Sequence, residues 1–322
     1  MKKIIRPIIN KGCLNERKII GQYQNGNYTV YFMDDGTKIR YTNDDKFVAV
    51  FPENIDLCIT KSCSVGCQFC YANCVPNGKH WEYSGKIKEL LSTLHPFTEL
   101  AINGNDWDIP ALTNFLSDMK AQNVFVNATF HLEQLYRRYN DIRYAQDMGQ
   151  IHGIGVSINK LYTKQYLDFL PKVKNCVVHV IAGIFDEEIF ESLKNKSLKI
   201  LILGYKNIGR GKLYDSLYSQ KVKDNLEWLE KNIDTVMKGF EVCSFDNLAL
   251  EQLKIQGKIS PDKWETNYMG DDGQFTMYID AVDKVYAKNS IEVDNPMKCY
   301  SIECAQPDID VLFNVLKCHN KV

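Results

Sequence analysis

The chain has 322 residues, 45% hydrophobic and 25% charged, and its 39 basic and 40 acidic residues leave a net charge of -1. That is enough chain for one large core or a barrel with an extension, and the balance leaves no electrostatic footprint for nucleic acid or an anionic membrane. No apolar run approaches the about 18 residues that span a bilayer, so an ordinary soluble globular protein is expected.

The opening Met1 to Ile5 begins like a signal peptide, but Arg6 and Pro7 interrupt it and Lys11, Glu16, Arg17 and Lys18 follow. No secretion signal is read, and a cytoplasmic location is expected. Residues 21–51 alternate polar and apolar about a turn. Tyr28 to Met33 reads as a strand, Asp34-Asp35-Gly36 as a hairpin turn and Thr37 to Tyr41 as the return strand. Residues 1–54 are therefore expected to form an N-terminal β-extension.

From about residue 55 the pattern changes to strands alternating with amphipathic helices. Strands are expected near 56–60, 98–103, 123–129, 153–158, 175–182 and 198–203, with helices over 83–94, 110–120 and 186–194 and a long one over 219–237. The fold class is α/β: a parallel sheet with crossover helices, curled or closed as a barrel over 55–238. Residues 240–249 read as a further strand closing the barrel's open side, and 274–287 as a second hairpin. Residues 288–322 show no clear period, so 239–322 is expected as a C-terminal α+β extension. No internal repeat or linker divides the chain.

Eleven cysteines are present, an odd number, and five crowd between Cys58 and Cys74. In a reducing compartment such a cluster points to metal or redox chemistry, not a disulfide framework. Cys63, Cys67 and Cys70 are spaced by three and then two residues, directly after the first strand of the series. That places them in a βα-loop, at the end of the sheet where α/β folds put their sites. Thiolate is the soft ligand of iron–sulfur clusters, and short spacings let one loop wrap a cubane. Three ligands leave one of the four irons open to a substrate or cofactor. The alternative is a structural zinc, with Cys58 or Cys74 as fourth ligand. Zinc cysteines usually come as two separated Cys-x-x-Cys pairs, and no second pair occurs.

The motif resembles that of the radical S-adenosylmethionine superfamily, with Phe69 in the aromatic position before the last cysteine and Tyr71 following it. The resemblance runs over residues 56–212. It implies a TIM-like partial (β/α)6 barrel and a [4Fe-4S] cluster on Cys63, Cys67 and Cys70. S-adenosylmethionine would chelate the open iron, and an external flavodoxin- or ferredoxin-like protein would supply one electron. The cofactor would then split to methionine and a 5′-deoxyadenosyl radical, which abstracts hydrogen from a substrate. The protein supplies binding, orientation and exclusion of water.

The resemblance also implies contacts residue by residue. The turn Asn103-Gly104-Asn105-Asp106 stands where the family meets the methionine amine, with Asn105 in place of the usual Glu. Gly104 would allow a close backbone approach. Ser157 and Asn159 follow strand four, where the family binds the ribose hydroxyls; capping the next helix is the other reading. The backbone at Gly204 and Tyr205 would hydrogen-bond the adenine. His179, on strand five, is read as a core histidine. Gly204 and Gly209 are followed by Arg210-Gly211, so a phosphate-binding loop is excluded, and Gly153-x-Gly155 lacks the third glycine of a dinucleotide fingerprint.

Cys299, Cys304 and Cys318 lack the paired spacing of an auxiliary cluster and read as incidental thiols. Cys243, Asp246 and Asn247 are candidates to face substrate, with a helix cap at Asp246 or Asn247 as the plainer reading. The substrate is not legible. The 274–287 hairpin resembles extensions of peptide-modifying relatives, which favours a peptide or protein. A member that binds the cluster without catalysing anything is the remaining alternative.

Overall fold

A computed structural model describes residues 2–6, 18–34 and 36–318, so Cys13 and the Asp35 of the expected hairpin turn lie outside the described residues. Four N-terminal strands, β1 (Lys2–Arg6), β2 (Ile19–Asn25), β3 (Tyr28–Met33) and β4 (Lys38–Thr42), form an antiparallel sheet in the order β1-β4-β3-β2. Burial alternates residue by residue along β3 and β4, as the two-residue period of a strand with one face covered requires.

The second sheet has ten strands. The strands β5 (Asn54–Cys58), β6 (Glu99–Asn103), β7 (Phe125–His131), β8 (Gly153–Ser157), β9 (Cys176–Ile181), β10 (Lys199–Leu203) and β11 (Val242–Phe245) lie side by side in chain order, all parallel. On the other flank of β5 come β12 (Thr276–Asp280), also parallel, then β13 (Val285–Ala287) and β14 (Tyr300–Ser301), both antiparallel. The connecting helices are α1 (Gly85–Ser92), α2 (Leu112–Ala121), α3 (Leu132–Asp147), α4 (Lys164–Leu167), α5 (Glu187–Leu193) and α6 (Arg210–Lys238). After β11 come α7 (Asn247–Gln252), α8 (Pro261–Asn267) and, at the end, α9 (Ile309–Cys318).

From β5 to β11 the strand order never reverses, so right-handed crossovers put the helices on one face. The residues on that face are apolar and sealed: Ile55, Leu100, Val126, Val156, Val178 and Ile200 are each at most 1% exposed. The opposite face is largely half-buried and carries small and polar side chains, in cross-strand rows such as His131, Ser157, His179 and Leu201.

All six expected strands are present. The strand expected over 240–249 stops at Phe245 and extends the sheet; its two edges, β11 and β14, do not pair among the described residues. The first arm of the expected 274–287 hairpin lies parallel beside β5, so the C-terminal region is built into both flanks of the sheet. Helix α6 begins at Arg210 and bends at Tyr218, whose φ of -131° is not helical, so the helix expected from 219 is its second arm. The tail expected to lack a period ends in α9, which buries Ile309, Leu312, Phe313 and Leu316. Among the described residues no helix is long and apolar enough to cross a membrane.

The N-terminal sheet packs on the starts of the parallel strands. Phe32 stacks on Phe125 at 4.6 Å, and Lys38 and Arg40, each no more than 2% exposed, reach in to Glu53 and Glu99. The cysteine loop lies at the other end.

Candidate functional site

The loop after β5 is closed at its base by short backbone bonds. Cys63 N–H donates to the Val75 carbonyl at 3.0 Å, and Val75 and Lys61 answer with 3.0 and 2.7 Å bonds to Lys61 and Lys79 carbonyls. Two flanking segments then hold its rim. From the turn after β6, Asp106 accepts from the Ser64 N–H at 2.8 Å and from the Ser64 hydroxyl, and Asn105 donates to the Ser62 carbonyl at 2.6 Å. Asn103 accepts from Ile59 N–H at 2.9 Å and donates to the Thr60 carbonyl. From the start of α6, Arg210 donates through Nε to the Cys67 carbonyl at 3.1 Å and through Nη2 to the Cys74 carbonyl at 2.9 Å, while its N–H meets Asn73 Oδ1 at 2.8 Å. Gly209 makes that approach possible: its φ is +54°, and a Cβ there would overlap the Tyr71 carbonyl oxygen. The glycine-rich turn excluded as a phosphate loop is thus a clamp on the cysteines.

Cys63, Cys67 and Cys70 are all half-buried. Burial pushes the Cys63 thiol up, and Cys67 up to about 11, with the neighbouring charges of Cys70 and Cys63 adding to the rise. Cys70 goes the other way, because the Cys74 thiol hydrogen-bonds its sulfur. Cys58 is buried, its sulfur 3.6 Å from the Thr60 carbonyl oxygen. Two side-chain amides point at the loop's sulfurs: Gln134 Nε2 is 3.6 Å from Cys63 Sγ, and Asn159 Nδ2 is 3.4 Å from Cys67 Sγ.

Gln134 and His131 were not singled out in the sequence, although His131-x-x-Gln134 has the spacing of a helix N-terminal box. The Gln134 oxygen accepts from His131 N–H at 3.4 Å, and its amide also donates to Asp106 at 2.7 Å. His131 Nε2 is 3.2 Å from Asn159 Oδ1 and 3.0 Å from the Tyr162 hydroxyl.

The structure gathers some of the expected residues and commits others elsewhere. Phe69 and Asn159 line one cavity of about 420 Å³ with Leu161, Ile184 and Tyr214, and Phe69 meets Tyr214 edge to face at 5.6 Å. Ser157 is half-buried on the open face, and neither it nor Asn159 caps a helix, since α4 has Thr163 at its N-cap. The Gly104 backbone approaches the Phe130 ring, which a Cβ there would overlap. The Gly204 N–H is taken by Asp246 at 2.8 Å and the Tyr205 N–H and carbonyl by Gln252 at 2.8 and 2.9 Å. Those three backbone groups therefore face protein partners. The Tyr205 side chain donates to the Gly211 carbonyl at 2.6 Å. Tyr71 is 37% exposed, with Lys206 Nζ 4.2 Å from its ring centroid.

Asp246 caps α7 by accepting from Ala249 N–H at 2.7 Å, and Cys243 is buried in the apolar core. Cys299 is half-buried and Cys304 and Cys318 are exposed. His179 stands half-buried on the open face, where burial holds its imidazole down to about 4 and so neutral. It does not lie in the sealed helix-side core. Among the described residues, no three His, Cys, Asp or Glu side chains converge as a single metal ion would require.

No family model matches the chain, and no curated protein matches it. A crystal structure of Streptococcus suis SuiB bound to S-adenosylmethionine is similar at 12% identity with a TM-score of 0.49. The match covers 84% of this chain, which spans 64% of that one. The function of this chain is therefore read from its own residues.

Proposed function

We propose that this chain is a radical S-adenosylmethionine enzyme that holds a [4Fe-4S] cluster on Cys63, Cys67 and Cys70. One observation carries the reading. The three thiols share one half-buried loop at the carboxyl end of the first parallel strand, and uncharged amide donors point at two of the sulfurs. The donor set fits the group: sulfur is the ligand such clusters take, and N–H bonds to those sulfurs are the usual surroundings. When bound, the cluster would pass an electron from a flavodoxin- or ferredoxin-like donor to the sulfonium of S-adenosylmethionine, releasing methionine and a hydrogen-abstracting 5′-deoxyadenosyl radical.

The chain's own residues would do the rest. The cavity beside Phe69 is of a size to seat a nucleoside, with Asn159 at its sulfur end and Ser157 on the adjoining strand. The side chains of Asn103, Asn105 and Asp106 are engaged with the cysteine loop and the Gly104 carbonyl with the Trp107 N–H, so the methionine amine would meet another main-chain carbonyl of that turn. Adenine would then lie against Phe69 and Tyr214, since the Gly204 and Tyr205 N–H groups are engaged. The open face of the sheet, with neutral His179 on it, would take the substrate. A peptide or protein is our preferred substrate class.

A second reading, a structural zinc, has one observation in its favour, that Cys74 touches Cys70 as a fourth thiol, and one against it, that among the described residues no three such ligands converge on a point. Anaerobic reconstitution with iron and sulfide, then reduction with S-adenosylmethionine and chromatography for 5′-deoxyadenosine, separates the two. Brown protein that forms the nucleoside supports the enzyme. Colourless protein with one bound zinc overturns it, and brown protein that forms none with any tested substrate points to a cluster protein without catalysis.

A further inference from the structure

We propose that Gln134 and Asn159 set the reduction potential of the cluster, by donating side-chain N–H bonds to Cys63 and Cys67. The inference rests on the cluster proposed above and concerns two residues that no cysteine motif would find. The distances, 3.6 and 3.4 Å, suit N–H···S contacts, which are longer than those to oxygen because sulfur is larger.

Each amide is oriented by its other end. Gln134 presents its oxygen to the His131 backbone N–H, so its two hydrogens face Asp106 and Cys63. Asn159 presents its oxygen to the His131 ring, so its nitrogen faces Cys67. A single residue at the end of β7, 7% exposed, thus aims both donors. Among the described residues Cys70 receives no side-chain amide; the Cys74 thiol and the backbone N–H groups of Cys74 and Ala72 face it instead. The side-chain amides are therefore placed unequally around the loop.

The physical consequence has a definite sign. Reduction adds one negative charge, spread in part onto the thiolate sulfurs. A donor fixed on a sulfur stabilises the more negative state and raises the potential. The two donors are not equivalent. Gln134 shares its amide with the Asp106 carboxylate, whose charge opposes added negative charge nearby, whereas among the described residues no carboxylate accepts from Asn159. Asn159 should therefore have the larger effect.

The test is a potentiometric titration of the reconstituted protein, followed by the electron paramagnetic resonance signal of the reduced cluster. Asn159→Leu removes the donor at similar volume. Its iron content should stay at the wild-type level, while the reduced-to-oxidised ratio at a fixed poise falls roughly fivefold, the net size of one ordinary hydrogen bond. Gln134→Met should shift the ratio the same way by less, and it preserves the test should Asn159→Leu not fold. Unchanged midpoints in variants that keep their iron would overturn the proposal while leaving the cluster assignment standing. Loss of iron from both folded variants would also overturn it, making the amides retainers of the cluster. A wild type that takes up no iron and sulfide removes the cluster assignment and this inference together.

Discussion

The two ends of the parallel strands treat polar groups in opposite ways. At the amino ends, buried charges meet one another. Glu53 accepts from Arg40 Nε at 2.7 Å, from Arg40 Nη2 at 3.1 Å and from the Tyr28 hydroxyl at 2.6 Å. Lys38 reaches Glu99 at 2.6 Å, and the Arg40 guanidinium lies 3.7 Å from the Phe275 ring centroid. At the carboxyl ends uncharged amides meet the half-buried sulfurs, Asp106 and Arg210 hold the loop through Ser64 and its backbone, and a cavity opens beside Phe69 and Asn159. The first arrangement satisfies its own charges and fixes how the N-terminal sheet docks. The second leaves Asn159, which donates to Cys67, on the wall of a cavity that the protein's own atoms do not fill. On the function proposed above, stability and chemistry are divided between the two ends of one sheet.

That division can be broken from either side. The largest effect is expected from changing Cys63, Cys67 and Cys70 together to Ala: iron uptake on reconstitution and 5′-deoxyadenosine formation should both vanish, while the urea midpoint of the apoprotein stays near wild type. Unchanged iron content would place the ligands elsewhere.

At the opposite end, Arg40→Met should cost about 3–5 kcal/mol of stability by urea unfolding, because Glu53 is left charged and buried without its main partner. The pH dependence gives this its sign. Burial alone would raise the Glu53 pKa, but Arg40 and Lys38 outweigh it and hold the carboxyl below its usual value. A lowered folded pKa stabilises the fold above the unfolded value, and that contribution disappears as pH falls through the folded one. The wild type should therefore lose stability on acidification through the carboxylate range. In Arg40→Met the trend should reverse, as the stranded Glu53 takes up a proton. Urea midpoints measured from neutral pH down to about 4 would show it.

Gly209→Ala sharpens the comparison where fold and site meet. A side chain at φ +54° against the Tyr71 carbonyl should cost about 1–3 kcal/mol and lower iron retention by loosening the Arg210 clamp. Measured stability and iron content equal to wild type would mean that the clamp does not hold the loop. The smallest effect belongs to Asp246→Ala, which removes the α7 cap and should cost about 1 kcal/mol. Iron content should not change.

The sequence carried the strands of the parallel sheet because their helix-facing residues are an unbroken apolar set, as in Ile200 and Ile202 or Val178 and Val180. It also carried the cysteine loop and the cap at Asp246. The arm of α6 before the bend at Tyr218 leaves Leu213 and Leu217 exposed and so has no apolar stripe to give a helical period, unlike the arm expected from 219. The spacing of Ile309, Leu312, Phe313 and Leu316 is also helical, but the run is only ten residues long. The pairing of β12 with β5 joins residues more than two hundred positions apart, and no local pattern encodes it. Of the site, the thiols were legible from spacing, whereas Gln134 and Arg210 reach the loop from two other points in the chain. Lys38 and Arg40 look like ordinary solvent-facing charges until their carboxylate partners are placed.

Arg40 also donates to the Met269 carbonyl at 2.6 Å, across 229 residues of chain. At about 5–20 residues per second of synthesis, the interval between those two residues leaving the ribosome is on the order of ten to forty seconds. Through that interval the nascent N-terminal sheet carries its charged inner face without Met269 and Phe275 to cover it. A later part of the chain therefore finishes an earlier one, and a truncated chain lacking β12 would display that face to the chaperone machinery of the cell.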